Sequence, residues 1–351
     1  MARRLPDTDY TTILRECVKA VRETQSSIRK TFAELELRPE SVSANFDKIV
    51  RKSGDRTKAM LHIDAAGEDQ CMRLIQNVFP KGLQIVGEES LADFSGWREP
   101  TGLLLDMIDG SDLAEMSIPV WCSALAIYDR DKRRIVGSIV ALATGQIYSA
   151  VDGVDEVRVE IEGQPASMVW GCSNTTSLRD ARVAHYGQKP KNALATYNNP
   201  FFSDFLERMK QDNEAQFRLL NFGGNPMIVR LADRVKVENR GVVTAGIDAV
   251  FECHGQQLHD VIPAAYIAKR AGAFFCDLDG CEFTDEIIGE LMQNPKTRIT
   301  YVIAATKDLA LELVSVLKPK RTIVPNVIGA SRNKKLPRKK PEQLQFDSLL
   351  Q

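Results

Sequence analysis

The stretch Leu103-Leu104-Leu105-Asp106-Met107-Ile108-Asp109-Gly110-Ser111 decides how the chain reads. Three consecutive leucines suit a strand buried on both faces. The strand runs into two aspartates with two residues between them, then a glycine and a hydroxyl. A turn there directs both carboxylates one way and exposes the Ile108 carbonyl between them. Hard cations such as Mg²⁺ take oxygen ligands of this kind and keep waters besides. Gly110 permits close backbone approach, and the amides opening a helix at Ser111 can bind a phosphate. Metal ligands and an anion cradle in one hexapeptide point to phosphoryl transfer. The same six residues also read as an acidic turn, so the neighbouring motifs decide.

Other acids stand at expected element ends. The strand Leu83–Val86 runs into Gly87-Glu88-Glu89-Ser90, which places Glu88 near Asp106. Met60-Leu61-His62-Ile63 is a short strand candidate. Asp64 after it caps a helix with an apolar face of Cys71, Leu74, Ile75 and Val78, or else serves the site. Asp260 precedes an apolar-periodic helix that runs to Gly272, where capping is the alternative to ligation. Glu252 closes the strand Ala249–Glu252, as a solvated strand end or a substrate contact.

The rest of the pattern is layered. Residues 9–35 read as an amphipathic helix through Ile13, Leu14, Cys17, Val18, Val21, Ile28 and Phe32. Val120–Ser149 reads as an antiparallel meander. Strands at Met168–Gly171, Phe217–Leu220 and Tyr301–Ala305 alternate with helices at Phe201–Met209, Asn225–Val235 and Asp308–Leu317, an α/β pattern.

Composition excludes several classes. At 351 residues the chain has room for two domains or two halves of one. It is 44% hydrophobic and 26% charged, ordinary for a globular protein. The net charge of −1 advertises no nucleic acid or other polyanion partner. No stretch approaches the ~20 apolar residues of a membrane span, and the start MARRLPDTDYTT lacks the apolar run of a secretory signal. Seven cysteines without a CxxC pair read as free thiols in a reducing cytoplasm. With four scattered histidines, carboxylates are the ligands to look for. A cluster of Arg332, Lys334, Lys335, Arg338, Lys339 and Lys340 marks the end of the chain as a solvated basic tail.

Taken in order, these motifs resemble the inositol monophosphatase-like family, Mg²⁺-dependent and lithium-sensitive phosphatases that include fructose-1,6-bisphosphatases and bisphosphate nucleotidases. The family's GEES is intact at Gly87–Ser90, and its D-P-[IL]-D-G-[TS] stands as Asp106 to Ser111. Its W-D-x-A-A-G…E-A-G-G stands as His259-Asp260-Val261-Ile262-Pro263-Ala264, then Lys269-Arg270-Ala271-Gly272. Its T-x-x-D-x-x-x-E matches Asp64 and Glu68. The resemblance spans residues 9–318. Met107 for proline, Leu113 and Ala114 for Asn-Phe, His259 for tryptophan and Pro263 for alanine depart from the pattern.

The resemblance implies a layered α/β/α/β/α sandwich. An N-terminal α+β half, 1–165, carries most metal ligands; a C-terminal α/β half, 166–318, carries Asp260 and substrate contacts; 319–351 is the basic tail. It implies a phosphomonoesterase acting on a small phosphorylated polyol, sugar or nucleotide through a metal-activated water. Two or three Mg²⁺ ions are expected, with Mn²⁺ as the other candidate. Glu88 resembles the ligand that orients the water, Asp106 the carboxylate bridging two metals, and Ser111 the hydroxyl that helps activate the water. The Ile108 carbonyl, Asp109 and Asp260 complete the metal sites, and Asp64 belongs to a third, weaker one. Asp109, Gly110, Ser111, Glu252 and Asp260 are the expected substrate contacts, and Lys52 matches a lysine near the third metal. A cytoplasmic homodimer is expected. The alternative is a family member with little or no activity, kept for binding or regulation. Arg179, Arg182, Lys189, Lys191, Arg230 and Arg234 are candidates for a second phosphate.

Overall fold

The computed structural model describes residues 10–37, 56–161, 164–165, 169–187, 189–237, 241–244 and 246–317. Lys52 and the basic cluster from Arg332 to Lys340 lie outside them. The first helix, α1 (Tyr10–Leu37), buries Ile13, Leu14, Cys17, Val18, Val21 and Ile28 as their spacing requires. The second, α2 (Arg56–Val78), runs straight through the strand expected at Met60–Ile63, and Asp64 lies inside it rather than at its cap. Its inward stripe is Asp64, Gly67, Glu68, Cys71 and Ile75, three or four residues apart and all buried. Three of those five lack an apolar side chain, so apolar periodicity alone starts the helix too late.

Next come β1 (Leu83–Gly87), β2 (Thr101–Asp109), α3 (Ser111–Glu115), β3 (Cys122–Asp129), β4 (Arg134–Leu142), β5 (Gln146–Val151), β6 (Arg158–Ile161) and β7 (Gln164–Pro165). These strands form one sheet in chain order. β1 and β2 pair in parallel, and the later pairs are antiparallel. Leu103 and Leu105 of β2 share a core with α1 and α2, whereas Leu104 faces a different core on the other side.

The second half contains β8 (Val169–Gly171), β9 (Arg182–His185), α4 (Pro190–Tyr197), α5 (Pro200–Gln211), β10 (Arg218–Leu220), α6 (Asn225–Ile228), β11 (Arg234–Val237), β12 (Gly241–Thr244), β13 (Ala249–Gln257), α7 (Ile262–Arg270), β14 (Phe274–Cys276), α8 (Asp285–Leu291), β15 (Arg298–Ala304) and α9 (Lys307–Leu317). A second sheet has the order β10-β9-β13-β15-β14, and a small third sheet the order β12-β11-β8. The helix expected over Asn225–Val235 is cut short. It tightens to 3₁₀ over Val229–Ala232 and becomes β11, where β-branched Val235 and Val237 pair with β12.

Ala184, Val250 and Ile303 of the second sheet share the Leu104 core with Ala264, Ala265 and Ile267 of α7. The opposite face, through Val183, Phe251 and Val302, packs with Phe202 of α5 and Leu309 of α9. α7 also touches the first sheet directly, the Pro263 carbonyl accepting from Ser138 Oγ at 2.6 Å. The layers are therefore α1/α2, sheet, α7, sheet, α5/α9, the expected sandwich. The described residues belong to one compact unit, Met1–Pro319.

Candidate active site

Two aspartates three positions apart on a regular strand would point to opposite faces. A β-bulge prevents this. Between Asp106 and Asp109 the partner strand advances only from Ala124 to Cys122, so β2 carries one extra residue. Met107 and Ile108 both turn into the α1/α2 core, which returns Asp109 to the Asp106 face. The bulge, not a turn beyond the strand, aims both carboxylates one way. Ile108 N–H donates to Asp106 Oδ1 at 2.8 Å. The Ile108 side chain is buried, so it is the main chain of Ile108 that borders the site.

Glu88 and Glu89 follow the end of β1. Glu68 on α2 reaches across and accepts from Glu88 N–H at 2.6 Å and from Glu89 N–H at 3.3 Å. Burial raises the Glu68 carboxyl to about 7, against the pull of those two amides. Asp64, one turn earlier, is buried, and among the described residues its Oδ1 has no hydrogen-bond partner.

Asp109 ends β2 of the first sheet, Asp260 lies in the turn between β13 and α7, and the two are brought together by a residue that the motifs did not single out. Asn225, fully buried, donates its backbone N–H to Asp109 Oδ2 at 2.7 Å. Its Nδ2 donates to the His259 carbonyl at 2.6 Å, and its Oδ1 accepts from Ala264 N–H at 3.0 Å. Gly224 before it has φ +72°, and a Cβ there would lie 2.9 Å from Asp109 Oδ2. Asp260 does not cap α7. Its Oδ2 accepts from Gln257 N–H, and Val261 holds the cap position.

Glu88, Asp106, Asp109 and Asp260, but not Asp64 or Glu68, open into a cavity of about 250 Å³, bordered also by Gly110, Ser111, Tyr186, Lys189, Lys191, Asn192, Gln256, Gln257 and Arg298. Among the described side chains of the six cationic candidates, Lys189 and Lys191 are placed there, Lys189 also pairing with Asp112 at 3.4 Å. Arg179 pairs with Asp212 and Glu214, Arg182 with Asp248, and Arg230 with Asp233. The Arg234 side chain is not described. Glu252 is not on the cavity wall; its carboxylate folds onto His254 N–H at 2.5 Å. Gln256, Gln257 and Arg298 carry no sequence signal, because they depend on β13 bulging after Glu252.

The donor set suits a hard divalent cation. Asp106, Asp109 and Asp260 each offer an oxygen within 4.8 Å of the others, and so do Glu88, Asp106 and His259 with one ligand atom each. Among the described residues no lysine or arginine pairs with Asp64, Asp106, Asp109 or Asp260. Burial first, then the neighbouring carboxylates, raises Asp64, Asp106 and Asp109 well above the usual range. Such a cluster is relieved by a cation. Among the described residues His259 is the basic group that meets the carboxylates directly. Its burial lowers the imidazole's pKa, but Asp260 and Glu88 outweigh that and hold it at about 10.

A five-layer sandwich whose two sheets deliver carboxylates to one cavity is the inositol monophosphatase-like fold. Among solved structures, SuhB of Mycobacterium tuberculosis is 17% identical over 89% of this chain and 97% of its own, with a TM-score of 0.58. A staphylococcal IMPase-II is 15% identical over 88% and 94%, with a TM-score of 0.59. An IMPase from Thermotoga maritima is 17% identical over 73% and 81%, with a TM-score of 0.51. No family model and no curated protein matches the chain. At these identities the likeness establishes the fold, as the motifs led us to expect. Among the described residues no helix is long and apolar enough to cross a membrane.

Proposed function

We propose that the chain is a divalent-cation-dependent phosphomonoesterase acting on a small phosphorylated polyol, sugar or nucleotide. The observation that carries this reading is Asp106. Its carboxylate belongs both to the Glu88/His259 group and to the Asp109/Asp260 group, as a ligand shared by two cations would. Bound Mg²⁺ or Mn²⁺ would neutralise the phosphoryl and leaving oxygens and lower the pKa of a water.

The chain's own residues do the rest. Glu88, at the cavity wall, orients the attacking water and takes its proton. Ser111, at the start of α3, holds the water from a second side. Lys189 and Lys191 draw the anionic ester inward, and Asn225 keeps Asp109 and Asp260 in register. Asp64 serves a third, weaker cation. Attack by water requires no covalent enzyme intermediate. Sensitivity to lithium and a homodimeric state belong to the same proposal.

The test is phosphate release from a panel of inositol phosphates, sugar phosphates, fructose bisphosphate and nucleotides in ¹⁸O-water, with Mg²⁺ and with chelator. A related staphylococcal structure is described with 2′-AMP bound, which puts that nucleotide in the panel. The reading expects Mg²⁺-dependent release of phosphate carrying one solvent oxygen. Cation binding without turnover of any ester would favour a binding or regulatory protein instead.

A further inference from the structure

His259 is the departure from the family pattern that falls inside the acidic cluster. Its side chain is 1% exposed, and among the described residues Nδ1 has no hydrogen-bond partner while Nε2 faces only the carboxylates of Asp260 and Glu88. A buried ring nitrogen aimed at carboxylates is placed either to ion-pair with them or to share a cation with them. Nε2 lies 3.2 Å from Asp260 Oδ1 and 3.6 Å from Glu88 Oε1. Ligand atoms that share one ion at about 2.1 Å sit about 3.0 to 3.4 Å apart along the edges of an octahedron or tetrahedron. The Glu88 separation is slightly wider than that spacing, and Asp106 completes the group, with the three ligand atoms all within 4.8 Å of one another. The backbone is fixed to match, since Asn225 Nδ2 holds the His259 carbonyl at 2.6 Å.

We propose that His259 is a nitrogen ligand to a divalent cation held with Glu88 and Asp106, the entering ion displacing the Nε2 proton to solvent, and that it shifts the site from Mg²⁺ towards Mn²⁺, Co²⁺ or Zn²⁺. The proposal rests on the reading of the carboxylate cluster as a cation site. Mg²⁺ favours oxygen donors and is reluctant to dehydrate, whereas imidazole suits the first-row transition ions. A single nitrogen among carboxylates therefore changes which ion wins without abolishing the site.

Pulsed EPR of the Mn²⁺-loaded full-length protein tests this directly. A directly bound histidine gives a ¹⁴N coupling, and growth with ¹⁵N-histidine must convert it to a ¹⁵N pattern in the unaltered chain. The coupling should vanish in His259→Gln, and Mn²⁺ affinity relative to Mg²⁺ should fall at least tenfold by calorimetric titration. Mn²⁺ bound with no nitrogen coupling in the unaltered protein would overturn the proposal and leave the carboxylate site standing. So would a coupling that survives in His259→Gln. If neither Mn²⁺ nor Mg²⁺ binds the unaltered protein, the underlying cation site fails and the ligand assignment falls with it.

Discussion

Asn225→Ala is the substitution that most sharply separates this account from a reading based on motifs alone. Asn225 touches no substrate in our scheme, yet it links both sheets at the site. Removing its side chain orphans two buried groups. The His259 carbonyl loses its donor, which costs about 1–3 kcal/mol. Ala264 N–H, in the first turn of α7, loses an acceptor that does the work of a helix cap, worth about 1 kcal/mol. The two sites share one side chain, so about 2–4 kcal/mol of destabilisation is expected in denaturant unfolding. The backbone bond to Asp109 survives, but the 259–264 segment that carries Asp260 is no longer tied to it. Cation affinity should therefore fall about tenfold in calorimetry while the far-ultraviolet spectrum stays native. Asn225→Asp should be no better, because it keeps the acceptor, loses the donor and adds a charge beside Asp109. A stability change under about 0.5 kcal/mol with unchanged cation affinity would refute the linkage.

Gly87→Ala places a Cβ 2.0 Å from a Glu68 carboxylate oxygen. Glu68 is buried, so the clash must move Glu68 or the strand end bearing Glu88. We expect Mn²⁺ affinity to drop at least tenfold, and a Kd within twofold of the parent contradicts this. Glu252 is raised from 4.5 to about 7 chiefly by burial, so its contribution favours the fold below about pH 4.5 and turns into a penalty as pH rises through 7. Glu252→Gln keeps the acceptor for His254 N–H and should raise stability by about 2–3 kcal/mol at pH 8 but hardly at pH 4.5; a pH-independent difference in thermal unfolding rejects the assignment. Lys189→Ala should raise KM several-fold with kcat nearly unchanged, less so at high salt, because Lys189 is a half-exposed rim charge. A kcat loss at constant KM would place it in the chemistry instead.

The acids that meet at the cavity were legible because each stands beside a recognisable local signal: an apolar strand before Asp106 and Asp109, a strand and glycine before Glu88, an apolar helix after Asp260. The layers were legible for the same reason, since Leu103 to Leu105 and the Val120–Ser149 meander bury as alternating or continuous apolar runs. What failed locally failed for definable causes. α2 carries Asp64 and Glu68 on its buried stripe, so hydrophobicity put a strand and a cap where one helix runs. The coincidence of Asp106 and Asp109 on one face depends on a bulge that only strand pairing with β3 reveals. Asn225 and Arg298 reach the site through tertiary packing and leave no pattern in their neighbours. Arg179, Arg182 and Arg230 looked available in sequence, but each is bound by an acid that the fold brings alongside.

The central claim is that phosphate-ester hydrolysis runs through a cation site organised around Asp106. It is tested most directly by initial rates of phosphate release from a turned-over ester, with Mg²⁺ and Mn²⁺ titrated, for the parent protein and Asp106→Asn. The amide is nearly isosteric but cannot offer the shared negative charge. We predict saturable cation dependence in the parent and a loss of several orders of magnitude in the variant that excess cation does not restore. Near-parental turnover by Asp106→Asn, or parental turnover that persists fully in chelator, would contradict the account.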